Sequence, residues 1–338
     1  MRQRIVVALG ACVLVAVVVS LNWYRLPVVA LTPGPAEDVL PRIKVEGRTP
    51  VYDSTGHLYL TSVGIDDDVR FYEALLYLAD HDVQLESRDA LYPKGQSVQQ
   101  VDQQNAADMD ASKTDAAVVA LRQLGYRVDP ALVQVDAVEP GTPAKGRLQA
   151  GDQLLRVGGQ KVASAEDVRR ALDRFRVGVP VAFAVRRDRR ELRVDVPTIS
   201  SPQRPGHPFV GVALREVFRD LPVRISIDTE NIGGPSAGLM FALAIIDKLT
   251  PGDLTAGRKI AGTGEILLDG SVYRIGGIGE KLVAARRQGA SIFLVPGDNC
   301  AEAKRAAPRG LRLVRVDTLA DALAFLRQDP AHPVARSC

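Results

Sequence analysis

Residues 231–249 read NIGGPSAGLMFALAIIDKL. Gly233, Gly234 and Pro235 make a tight, side-chain-poor approach to one serine, Ser236, and the continuous apolar run after it predicts a fully buried helix with that serine in its first turn. Further on, residues 259–266 and 274–282 read KIAGTGEI and RIGGIGEKL, which places Lys281 in the first turn of a second helix. Nothing else in the chain pairs a candidate nucleophile with a candidate base in such a setting.

A serine hydroxyl attacks a carbonyl only if a neighbouring base takes its proton. The four histidines, His57, His81, His207 and His332, all lie outside this stretch. A lysine can serve instead if burial disfavours its charged form. Lys281 is preceded by Ile275, Gly276, Gly277 and Ile278 and followed by Leu282, Val283, Ala284 and Ala285, so an apolar setting is expected. Gly234, Pro235 and Ala237 then form the nucleophile loop, where amides at the start of the helix can stabilise an oxyanion. Taken singly, Ser236 also fits a first-turn serine of a core helix, and Lys281 a surface lysine beside Glu280. The joint pattern decides between these readings.

GGPSAG at 233–238, TGEI at 263–266 and RIGGIGEK at 274–281 together closely resemble the proteolytic domain of the Lon family of Ser-Lys peptidases, in the family's order and at similar spacing, over roughly residues 207–327. The resemblance implies an α/β domain with Ser236 as nucleophile, Lys281 as general base and Thr263 orienting the lysine. It also implies a homo-oligomer, because such domains form rings. One departure is Gly233, where the family usually carries an aspartate. No GxxxxGK[ST] run is present, so no ATP is expected to be used. No cofactor and no metal site are expected either.

The composition, 338 residues with 46% hydrophobic and 25% charged, indicates a globular chain of two or three domains. A formal charge of +3 argues against nucleic acid as a partner, and Arg186, Arg187, Arg189 and Arg190 read as a solvated hairpin turn. Residues 1–25 comprise a short basic N-terminus and a charge-free run at 5–21, seventeen residues long, followed by Asn22, Trp23, Tyr24 and Arg25. This predicts a single-pass transmembrane helix in the cytoplasmic membrane, N-terminus inside, with the catalytic domain extracytoplasmic. A cleaved signal peptide is the alternative, but no small-x-small site follows the run.

Residues 26–127 form an extracytoplasmic region with a strand at 56–63, a short amphipathic helix within 66–82 and a polar connector, helical or mobile, at 94–114. Residues 128–199 differ in character. TPAK at 142–145, LQAGD at 148–152 and VGGQKV at 157–162 resemble a PDZ domain, which implies a small β-sandwich or barrel with one helix at 165–175. PDZ domains add an extended peptide to a sheet edge and hold its terminal carboxylate in backbone amides, so C-terminal peptides are an expected partner, with Gly125, Tyr126, Arg127 and Val128 as the carboxylate loop. A packing domain that binds no peptide is the other reading. Residues 200–207 read as a linker and 208–338 as the proteolytic domain. Cys300 and Cys338 can form a disulfide or remain free thiols.

The fold class expected is therefore α+β multidomain: an anchor, a PDZ-like unit and a Lon-type unit. The expected function is a membrane-anchored, ATP-independent serine endopeptidase whose PDZ domain recruits protein or peptide substrates. A catalytically silent PDZ adaptor of the cell envelope is the competing reading.

Overall fold

The computed structural model of the chain describes residues 25–92, 95–229, 232–328 and 337–338. The apolar run at 5–21 lies outside the described residues, and among those residues no helix is long and apolar enough to cross a membrane. The chain forms two compact units, one from the residues up to Tyr126 together with Val223–Cys338, the other from Arg127–Pro222.

In chain order the first unit contributes β1 (Val28–Asp38), β2 (Ile43–Glu46), β3 (His57–Asp66), α1 (Phe71–Ala79), β4 (Gln84–Ser87), α2 (Arg88–Leu91) and α3 (Val98–Gln123). The second unit follows with β5 (Leu132–Val138), β6 (Gln153–Val157), β7 (Gln160–Lys161), α4 (Ala165–Leu172), β8 (Val181–Arg187), β9 (Arg190–Val196), β10 (Ile199–Ser200), β11 (Pro208–Phe209) and β12 (Val212–Val217). The first unit resumes with β13 (Arg224–Ile227), α5 (Gly238–Leu249), β14 (Lys259–Gly262), β15 (Glu265–Ile266) and β16 (Val272–Tyr273). It ends with α6 (Ile278–Arg287), β17 (Ile292–Pro296), α7 (Cys300–Ala306), β18 (Arg312–Val316) and α8 (Leu319–Leu326).

The first unit is built on one six-stranded sheet, ordered β18-β17-β14-β3-β1-β4. Residues 26–127 are therefore not a separate domain. β3 lies parallel to β14, with Leu58 opposite Ile260, and antiparallel to β1. Leu58, Tyr59, Leu60 and Thr61 are buried in succession, the signature of a strand covered on both faces. β2 pairs with β13, Ile43 opposite Ile227. The first residues of the stretch expected to be the proteolytic domain, 208–222, instead belong to the second unit, with β12 against β5. The stretch at 200–207 is not a free linker, because β10 and β11 pair across it and the Ser201 amide donates to the His207 carbonyl at 2.9 Å.

The polar connector is a 26-residue helix, α3, opened by a capping box in which Ser97 and Gln100 bond each other's amides. Its C-terminal half is buried from Ala116 to Leu121 and packs against α5. These buried residues, AAVVAL, lie past the polar stretch at 94–114, which forms the largely exposed first part of the same helix. Helix α5 is buried at every position from Gly238 to Asp247, as its composition requires. The second unit closes a sheet ordered β12-β5-β6-β8-β9 over a core that includes Val133, Leu154, Phe183 and Val196, with α4 capped by Ser164 and Asp167.

Candidate active site

The nucleophile loop is held from outside by α3. Gly234 sits at φ +83°, a conformation glycine adopts without strain, and its amide donates to the Asn105 carbonyl at 2.8 Å. Ser112 Oγ donates to the Pro235 carbonyl at 2.9 Å. A Cβ on Gly233 would stand 3.0 Å from that of Asn105, so α3 occupies space that the aspartate seen in the Lon family would need.

The carbonyl of Ser236 is pinned twice, by the Gly264 amide at 2.8 Å and by Thr263 Oγ1 at 3.0 Å. The KIAGTGEI stretch at 259–266 bends to make this possible: β14 stops at Gly262, and Thr263 and Gly264 turn toward the serine before β15 begins. The Ser236 hydroxyl then faces Lys281, whose Nζ lies 2.9 Å from Oγ and 3.2 Å from Thr263 Oγ1. Because Thr263 spends its proton on the Ser236 carbonyl, it can only accept from the lysine. That acceptance turns the lone pair of a neutral Nζ toward the serine.

Lys281 is 4% exposed, and burial lowers its pKa from 10.5 to about 8, against the opposing pull of Glu280. Glu280 is itself buried, and desolvation raises its carboxyl. Two features aim the lysine helix. Gly277, at φ +65°, lies under Val63, where any Cβ would come within 2.5 Å of Val63 Cγ2. Asn299 brackets Ile275, accepting from its amide and donating to its carbonyl, both at 2.9 Å. Asn299, Asn105 and Ser112 were not identified from sequence, and no local pattern around them could have shown what they touch.

Of the three positions expected to supply an oxyanion site, Gly234 has committed its amide to Asn105 and Pro235 has none. Ala237 remains, beside Ser236, at the N-terminal end of α5. A cleft of about 1060 Å³ opens over this point, lined by Leu31, Ser62, Val63, Asp102, Asn105 and Ile232 together with Ser236 and Lys281. Among the described residues no group of three or more His, Cys, Asp or Glu side chains converges as a metal site. Cys300 and Cys338 are disulfide-bonded, Cα to Cα 5.1 Å.

Thr263→Val keeps the shape and removes both of the hydroxyl's contacts. It is expected to lower kcat roughly ten- to hundredfold, about 1–3 kcal/mol, with KM nearly unchanged, as steady-state kinetics would show.

The four residues expected to form the carboxylate loop lie between α3 and β5. Gly125 and Tyr126 close α3: Gly125 takes φ +85°, and the two amides bond back to Arg122 and Leu121 at 3.0 Å. Arg127 and Val128 only lead into β5, which is bordered on both sides by β12 and β6 and has no free edge. The terminal strand beside the unit's helix is β12. The Ala165 amide at the start of α4 donates to Glu216 Oε1 at 2.8 Å, and Gly211, at φ +84°, turns the chain into the strand.

A serine hydroxyl within proton-transfer reach of a desolvated lysine, with its carbonyl clamped and a helix start beside it, is the arrangement a nucleophilic hydrolase requires. Residues 215–326 match the Lon protease (S16) C-terminal proteolytic domain, and residues 112–198 match the PDZ domain. The chain thus carries a Lon-type proteolytic domain and a PDZ domain. It is similar to Lon protease of Azospirillum brasilense, 36% identical over 119 residues, covering 34% of this chain and 14% of that protein. It is also similar to Lon protease of Xanthomonas oryzae pv. oryzae, 29% identical over 205 residues, covering 60% of this chain and 20% of that protein. The chain therefore spans only a small part, 14% to 20%, of the length of these relatives. Among solved structures, the PDZ domain of the SdrC-like protein from Listeria innocua is 23% identical, with a TM-score of 0.23, covering 25% of this chain and 94% of that one.

Proposed function

We propose that the chain is a membrane-anchored serine endopeptidase that works without ATP, with Ser236 as nucleophile and Lys281 as general base. The observation that carries this reading is the 2.9 Å approach of a 4% exposed lysine to the serine hydroxyl. Neutral Nζ takes the Oγ proton as the serine attacks a peptide carbonyl, and the Ala237 amide receives the developing oxyanion. The protonated lysine then passes that proton to the leaving amine, which leaves an ester on Ser236. Water, deprotonated by the same lysine, releases the acyl group and restores the hydroxyl.

The substrate-recruiting surface in this reading is the edge of β12, to which an extended C-terminal segment adds as a further strand beside α4, its carboxylate near Val210 and Gly211. Anchoring is supported by the charge-free run at 5–21 and the aromatic and basic residues that follow it. The Cys300–Cys338 disulfide suits the oxidising side of the membrane. The absence of a phosphate-binding loop in the sequence supports independence from ATP, and the resemblance to Lon supports a homo-oligomer.

The test is the full chain in detergent micelles, incubated with unfolded casein and no nucleotide, beside its Ser236→Ala variant. Fragments are expected from the parent alone. Equal cleavage by both would remove Ser236 from the reaction, and silence from both would overturn the peptidase reading.

A further inference from the structure

Helix α1 exposes an apolar face. Tyr72, Leu75, Leu76 and Leu78 are 46%, 55%, 64% and 70% exposed. Its other face is already satisfied: Ala74 is buried with Ala30 and Val69, and Tyr77 packs alongside Val83 and Leu85. Four large apolar side chains on nine consecutive residues form a patch, unlike the single exposed hydrophobics scattered over any surface.

The patch lies beside the point where the charge-free run enters the described chain. Arg25 bridges Arg70, the residue that caps α1, and its Nε meets Asp68 at 2.8 Å, while the Leu26 amide donates to the Val69 carbonyl at 3.0 Å. Leu21, the end of the run, and Arg25 are only four positions apart in the chain, a reach of at most about 14 Å. The helix itself is about 13 Å long. If the run spans a bilayer, the start of α1 is held at headgroup depth.

We propose that α1 is a second, interfacial membrane anchor, which lies along the bilayer surface and inserts Tyr72, Leu75, Leu76 and Leu78 among the lipids. The proposal rests on the anchored reading given above. The attraction is apolar rather than electrostatic, because among the described residues no basic cluster flanks the patch: Arg25 pairs with Asp68 and Arg287 with Asp82, while the carboxylates of Asp66 and Glu73 accept from the hydroxyls of Tyr77 and Tyr72. A zwitterionic lipid surface is therefore sufficient. β3 leads into α1 and lines the active-site cleft with Val63 and Ile65, so docking sets the mouth of the cleft beside the lipid.

The chain has a single tryptophan, Trp23, which makes the test direct. Full-length protein is placed in phosphatidylcholine vesicles with or without brominated acyl chains. The parent reports through Trp23, and the Trp23→Phe variant carrying Leu76→Trp reports through α1. Both are expected to lose most of their emission in brominated lipid, whereas Trp23→Phe with Tyr273→Trp stays bright. Quenching of Trp23 without quenching at position 76 would overturn the docking of α1 and leave the anchor standing. Quenching at neither would overturn both. Quenching at 273 as well as 76 would mean indiscriminate adhesion and overturn the proposal. Blue-shifted, unquenched emission at 76 that fades as protein is diluted in lipid would assign the face to a second copy of the chain.

Discussion

Lys281→Met is expected to abolish casein cleavage and to raise the melting temperature near neutral pH. Both effects have one cause. Lys281 is 4% exposed and its pKa falls from 10.5 to about 8, so below that value the folded protein confines an ammonium from which water has been removed. Between about 8 and 10.5 the unfolded lysine holds its proton while the folded one has released it. Stability therefore rises with pH through that window, and the cost is fully present below it, on the order of 3 kcal/mol. Methionine fills the same channel without a charge, so the gain it brings should shrink as the pH climbs toward 10.5. Activity of the parent follows the neutral amine and should increase with pH, with a midpoint near 8. Thermal melts of both proteins across this range, alongside kcat/KM for the parent, check the two halves together. A rate that is flat through the window would assign the base to another group.

Arg187→Ala is expected to destabilise the second unit by about 3–5 kcal/mol. Asp152 is fully buried, and the Arg187 guanidinium meets its two oxygens at 2.7 Å each while also donating to the Arg147 carbonyl at 3.0 Å. Removing the arginine leaves a buried carboxylate without its counter-charge. Calorimetry of the full chain should show a transition moved to lower temperature, and replacing Asp152 by leucine as well should recover much of the loss. Arg189→Ala, at the exposed hairpin turn, is expected to change stability by no more than about 0.5 kcal/mol. The four arginines look alike in sequence, because the carboxylate that singles out Arg187 lies 35 positions away. An equal effect at both positions would refute the buried pair as the cause.

The same contrast runs through the rest of the chain. Local pattern was enough to mark the buried helix after Ser236 and the lysine in the first turn of α6, because apolar runs, helix starts and glycine turns act over a few residues. It also carried the likeness to Lon and PDZ domains. Local pattern was blind to pairing. β3 joins β14 across 202 positions, Leu58 to Ile260, which draws the supposed N-terminal region into the proteolytic sheet and makes the second unit an insertion. It was equally blind to the packing of α3 on α5 and to the Asn105 and Ser112 contacts that hold the serine loop.

By itself, then, the sequence determined the chemical actors: a serine on a tight glycine-proline turn, an apolar setting for one lysine, and a threonine between them. The tertiary structure alone decided their distances, the depth that lowers the lysine's pKa, and which strand of the second unit lies at the sheet's edge. Propensity and periodicity act between neighbours in the chain. Desolvation and strand pairing depend on groups that only folding brings together.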